Sequence, residues 1–106
     1  MRLRARKDDN HNEIVSAFRR MGASVAETHN LGGGFPDIVV GLCGLNVLVE
    51  IKDGSKPPSG RKLTGPECEF RAEWAGWTNI VETIDDAIEL ADEMRARALA
   101  AFKEAV

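Results

Sequence analysis

Residues 32–54 read GGGFPDIVVGLCGLNVLVEIKDG. Two apolar, largely β-branched runs, 37–42 and 46–52, lie on either side of Gly44-Leu45-Asn46, and this pattern predicts two strands joined by a tight antiparallel turn. Asp37 opens the first run, and Glu50 and Lys52 close the second. Side chains alternate faces along a strand, so Leu48, Glu50 and Lys52 share one face. Charges at the ends of central strands cost free energy unless something pairs with them. An antiparallel turn places Asp37 beside Glu50, where like charges repel and one carboxyl stays protonated unless a cation intervenes.

Working outward, the preceding segment from about Asn10 to Met21 repeats Ile14, Ala17, Phe18 and Met21 at helical spacing, with Asp9 or Asn10 as N-cap and Gly22 as stop. Glu13 borders the packing face of that helix. SVAETH, 24–29, is a weaker alternating strand. After the central pair comes a loop, 53–65, with two prolines and three glycines. Thr64 and Glu67 have capping-box spacing, with Pro66 in the first turn, and open a helix that carries Phe70, Trp74 and Trp77 and stops near Gly76. TNIVET, 78–83, reads as a fourth strand. Thr83 to Asp86 cap a last helix whose apolar positions are Ile84, Ile88, Ala91, Ala98, Leu99 and Phe102. The expected fold class is α/β, an αβββαβ core with a mixed four-stranded sheet flanked by helices.

The chain of 106 residues is expected to form one domain, 1–106, with a basic arm at 1–8 and a C-terminal helix over 84–106. No apolar run approaches the ~20 residues that span a bilayer, and no apolar segment follows the charged N-terminus, so a cytoplasmic protein is expected. Cys43 and Cys68 form no Cys-x-x-Cys pattern and read as reduced thiols, without a zinc site. His11 and His29 are isolated in the sequence and read as surface polar residues rather than ligands.

Net charge is −3, but it is unevenly spread. Arg2, Arg4, Arg6 and Lys7 form a basic start. Lys52, Lys56, Arg61 and Lys62 oppose Asp53 alone, and residues 82–94 carry six acids and no base. A phosphate-binding face and a solvated acidic face are compatible with this distribution, as is ordinary solubilising charge.

The carboxylates at the strand ends fit a hard divalent cation, Mg²⁺, held by Asp37, Glu50 and the backbone carbonyl of Ile51. Such an ion acidifies a bound water to make a nucleophile. Lys52 is placed to orient or deprotonate that water, or to neutralise developing charge. Glu13 would approach the ion through water, the glycines at 32–34 would let backbone approach a bulky ligand, and Lys56, Arg61 and Lys62 would contact phosphates. A bland reading competes: Asp37 ends a proline turn, and Glu50 and Lys52 form an edge-strand ion pair.

Pro36-Asp37 followed by Glu50-Ile51-Lys52 resembles the PD-(D/E)xK nuclease superfamily. The closer resemblance is to its VRR-NUC family, including the small stand-alone members common in bacteriophages. It covers Asp9 to about Leu90, through NEIVSAFRRMGA, GGGFPDIVVG, VEIKDG and LTGPECEFRAEWAG, and is sharpened by SGRKLT and the Phe70-x-x-x-Trp74 helix. The resemblance implies a Mg²⁺- or Mn²⁺-dependent DNA endonuclease in a bacterial cell, of bacterial or phage origin, with Glu13, Asp37, Glu50 and Lys52 as the catalytic set. It also implies a homodimer acting on four-way or otherwise branched DNA. One position departs from the family, where a glutamine usually stands three residues before the phenylalanine. Here that residue is Glu67, and a carboxylate cannot donate a hydrogen bond to phosphate.

Overall fold

The computed structural model describes residues 7–106, so Arg2, Arg4 and Arg6 of the basic arm lie outside the described residues. The elements follow in the order α1 (His11–Arg20), β1 (Ser24–Glu27), β2 (Ile38–Leu42), β3 (Leu45–Ile51), α2 (Gly65–Glu73), β4 (Thr78–Val81) and α3 (Ile84–Ala105). The sheet has strand order β1-β2-β3-β4. The first three strands are antiparallel and β4 runs parallel to β3, so the sheet is mixed, as the sequence pattern indicates.

The core lies on one face of this sheet. Val47, Val49 and Ile51 of β3, with Ile38 and Val40 of β2, are fully buried against Ile14, Val15 and Phe18 of α1 and Ala87, Leu90 and Met94 of α3. Each large apolar side chain so buried contributes about 1.5–3 kcal/mol. α1 ends as the pattern predicts: the amides of Gly22 and Ala23 return to the carbonyls of Arg19 and Phe18, satisfying the last turn. Its start differs. Asn10 does not cap the helix with its side chain. Its Nδ2 instead donates to the carbonyls of Lys52 and Glu82, both at 3.0 Å, tying the helix entrance to the ends of β3 and β4.

Three sequence expectations shift. The β2–β3 turn lies one residue earlier than Gly44-Leu45-Asn46. Leu42 pairs with Leu45, and Cys43 and Gly44 form a two-residue turn at φ 54° and 80°. Positive φ at both central positions gives the type I′ geometry whose twist matches a hairpin. In α3 the buried stripe is Ala87, Leu90, Ala91 and Met94, whereas Ile84, Ile88, Leu99 and Phe102 are exposed. The helix presents two apolar stripes, and the one with the smaller side chains packs closely on the sheet and α1. Trp77 follows α2 rather than belonging to it, packs on the core edge, and has the Arg97 guanidinium 3.8 Å above its ring.

The polar face of the sheet is partly covered by α2. The Thr64 hydroxyl accepts from the Glu67 amide and the Glu67 carboxylate accepts from the Thr64 amide, completing the expected capping box. No residue of α2 is buried. The helix is fastened through Phe70, which stacks on Trp74 at 5.2 Å and meets Phe35 edge-on at 5.1 Å. The chain before Phe35 approaches the helix start so closely that a Cβ on Gly34 would overlap the Pro66 carbonyl, and Gly34 itself lies at φ 82°.

Candidate functional site: a carboxylate and lysine cluster at the strand ends

Asp37 is held rigidly by its own backbone. Its amide donates to the Val49 carbonyl at 3.0 Å, and its carbonyl accepts from the Thr28 amide at 2.8 Å. The Thr28 hydroxyl adds a 2.7 Å bond to the Pro36 carbonyl. The Asp37 carboxylate then reaches across to β3, where one oxygen accepts from the Ile51 amide at 2.7 Å. The residue is thereby fixed at the start of β2, beside the last residues of β3.

Glu50 lies on the face of β3 opposite Val49 and Ile51 and is only 5% exposed. Burial pushes its pKa up to about 10, and the adjacent, hydrogen-bonded Asp37 carboxyl adds to the shift. Glu50 is therefore a protonated acid at neutral pH in the metal-free protein. Lys52 projects from the same face, and its Nζ donates to Glu67 Oε1 at 2.8 Å. Burial works against the ammonium, but the Glu67 carboxylate outweighs it and holds the Lys52 pKa above its ordinary value. Burial likewise opposes ionisation of Glu67. Hydrogen bonds from Lys52 and the Thr64 amide overcome it and lower the Glu67 pKa.

Asp37, Glu50, Lys52 and Glu67 open onto a cavity of about 440 Å³ whose rim includes Asp8, His29 and Gly32 to Phe35. The structure thus gathers three of the four expected catalytic residues, Asp37, Glu50 and Lys52. Ile51, whose carbonyl is an expected ligand, sits between Glu50 and Lys52 with its amide already engaged by Asp37.

Glu13 is not among them. It is exposed and lines a different groove with Asp9, Asn10, Asp53, Glu82 and Asp85. The acid that reaches the cavity from the start of α1 is Asp8, whose pKa is raised by burial against the opposing pull of Lys52 and Lys56. Periodicity within the helix could not reveal this, because Asp8 precedes the first turn and its position depends on how Asn10 docks against β3 and β4. Of the expected phosphate contacts, Lys56 lies 3.9 Å from Asp8. Arg61 is committed to the protein, donating to the Lys56 carbonyl at 2.9 Å and to Glu82 at 3.0 Å. Lys62 is exposed.

The donor chemistry of this cavity fits a hard divalent cation. Asp37 and Glu50 offer adjacent carboxyl oxygens, Glu50 is buried, and a cation there would replace the Glu50 proton.

The histidines correct a second expectation. His11 is neither isolated nor at the surface: it is 1% exposed, and its Nε2 lies 2.9 Å from Glu27 Oε1. The His29 ring meets it edge-on at 5.1 Å. One ligand atom from each of His11, Glu27 and His29 lies within 4.8 Å of the other two, the one grouping of three such side chains found among the described residues. The bond from His11 lowers the Glu27 pKa, and burial lowers that of His29. Contacts between a helix start, a strand end and a turn leave no local signal in the sequence.

Cys43 and Cys68 are free and exposed. No helix among the described residues is long and apolar enough to cross a membrane. Comparisons with protein-family models, curated proteins and solved structures find no match to this chain.

Proposed function

We propose that this chain is a metal-dependent endodeoxyribonuclease of the PD-(D/E)xK type, of the VRR-NUC kind, hydrolysing phosphodiester bonds in branched DNA as a homodimer. The observation that carries the reading is the convergence of Asp37, Glu50 and Lys52 at the ends of the two central strands, around a cavity on the face opposite the apolar core. Asp37 and Glu50 would hold Mg²⁺ or Mn²⁺ with the Ile51 carbonyl. When bound, the ion supplies an activated water and a counter-charge for phosphate oxygens. Asp37 is held for this task by its fixed backbone and its bond to the Ile51 amide. Glu50 supplies its second carboxylate by releasing a proton. Lys52 remains a cation, because Glu67 holds its proton, and it acts by placing positive charge at the phosphate rather than by accepting a proton. Lys56 and Lys62 extend positive charge along the neighbouring loop.

One observation favours a second reading, a DNA-binding or assembly module that does not cleave. Lys52 is bound by Glu67, the residue that departs from the family glutamine, so the cation is partly neutralised before any phosphate arrives.

A cleavage assay separates the two. Purified protein is incubated with a labelled four-way junction and a matched duplex in Mg²⁺, Mn²⁺ or EDTA. Metal-dependent cutting that falls by about 10³-fold in Asp37→Asn and Lys52→Ala supports the nuclease. Salt-sensitive DNA binding without cutting in any metal selects the second reading. Cutting by Asp37→Asn at the wild-type rate removes the proposed site.

A further inference from the structure

We infer that His11, Glu27 and His29 form a second metal site, distinct from the carboxylate cavity and suited to a borderline transition ion such as Zn²⁺. Three segments meet here: His11 is the first residue of α1, Glu27 the last of β1, and His29 the first of the one-turn helix His29–Leu31. The three donors already lie within 4.8 Å of one another. The polar atoms add an independent sign. Among the described residues no hydrogen-bond partner reaches the buried Nδ1 atoms of His11 and His29. A buried nitrogen without a partner is costly and rare in a finished interior. His11 faces Glu27 through Nε2, so an ion shared with Glu27 would take that nitrogen, while the Nδ1 of His29 in the same cluster is left without a partner among the described residues.

The chemistry of the donors sets the ion. Two imidazoles and one carboxylate are a common three-ligand set for zinc, with remaining positions open to water. Imidazole suits Zn²⁺, Co²⁺ or Ni²⁺, whereas Mg²⁺ favours oxygen donors. The two clusters therefore differ in kind: oxygen donors around Glu50, nitrogen-rich donors around His11. Glu27 is the accessible member, its side chain 37% exposed and Lys7 3.8 Å away as the cation an ion would displace. His29 also lines the carboxylate cavity, so a metal here would tie the β1–β2 connection, which carries Gly34, Phe35 and Asp37, to the start of α1.

The test uses the full chain carrying Glu50→Gln, which disables the proposed carboxylate site, stripped with a chelator and titrated with Co²⁺ followed by visible absorption, then with Zn²⁺ followed by calorimetry and thermal melting. The expected result is one ion per chain, with a ligand-field spectrum of low coordination number and a raised melting temperature. Because His11 is buried and its replacement risks the fold, the diagnostic variants are His29→Ala and Glu27→Gln. In that background each should weaken Co²⁺ and Zn²⁺ at least tenfold while melting cooperatively, and the double variant Cys43→Ser/Cys68→Ser should bind as its parent does. The inference is overturned by no binding of either ion. It is equally overturned by binding in that background that survives His29→Ala and Glu27→Gln, or that disappears in the cysteine variant.

Discussion

The two faces of β3 obey opposite rules. Val47, Val49 and Ile51 point into a closed apolar core, and each is fully buried. Leu48, Glu50 and Lys52 point the other way, where the cover is a helix with no buried residue and the contacts are carboxyls and an ammonium. Six consecutive residues, 47–52, thus carry both fully buried packing and closely held charges. The apolar face supplies the stability that allows Glu50 to sit in a place that penalises its ionised form. Stability and chemistry are separated here by the alternation of a single strand rather than by distance.

The sharpest way to break this comparison is to remove packing from the silent face. Ile51→Ala is expected to cost about 2–5 kcal/mol in urea unfolding, because the vacated space lies between two helices and the sheet. A loss below the lower figure would mean the core is looser than the complete burial of Ile51 implies.

On the chemical face the expected sign is reversed. The unfolded chain ionises Glu50 near the ordinary carboxylate pKa, and the folded chain only near 10. Between those values the folded state holds the extra proton. The Glu50 contribution is therefore fully present below the ordinary value and is lost as pH rises toward the folded one. Glu50→Gln keeps the shape and removes the titration. In the absence of metal it should be more stable than wild type by about 1–3 kcal/mol near pH 8, with a flatter profile, and the proposed function requires it to abolish any metal-dependent cleavage. A wild-type melting temperature that rises between about pH 6 and 9 would contradict the assignment of that proton. The smallest effect is expected at the cover itself. Thr64→Ala removes one cap and should cost about 1 kcal/mol, seen as faster amide exchange in the first turn of α2.

Much of the fold was legible because it is written locally. The hairpin, the Thr64–Glu67 capping box, the Thr83 cap and the Gly22 stop each depend on residues within a few positions of one another, and all are present, the hairpin turn displaced by one residue. The convergence of Asp37, Glu50 and Lys52 was also readable, since one antiparallel turn and the two-residue strand period dictate it. What failed was non-local. Whether Glu13 or Asp8 faces the cavity is decided by the docking of Asn10 on two strand ends. Which stripe of α3 is buried is decided by how closely the helix approaches, which favours Ala87 and Ala91 over the larger Ile84 and Ile88. His11 and His29 looked isolated because their meeting requires three elements to close around them.

The two exposed thiols give the molecule a built-in pair of reporters. Cys43 sits at the tip of the β2–β3 hairpin, at the opposite end of those strands from Asp37 and Ile51, and Cys68 follows Glu67 in the helix that holds Lys52. A probe on Cys68 rides on the helix over the cavity, and one on Cys43 rides on the rigid sheet. Without any engineered residue, a label pair can register whether α2 shifts if the Lys52–Glu67 pair opens. The hairpin tip serves as the fixed reference for that movement.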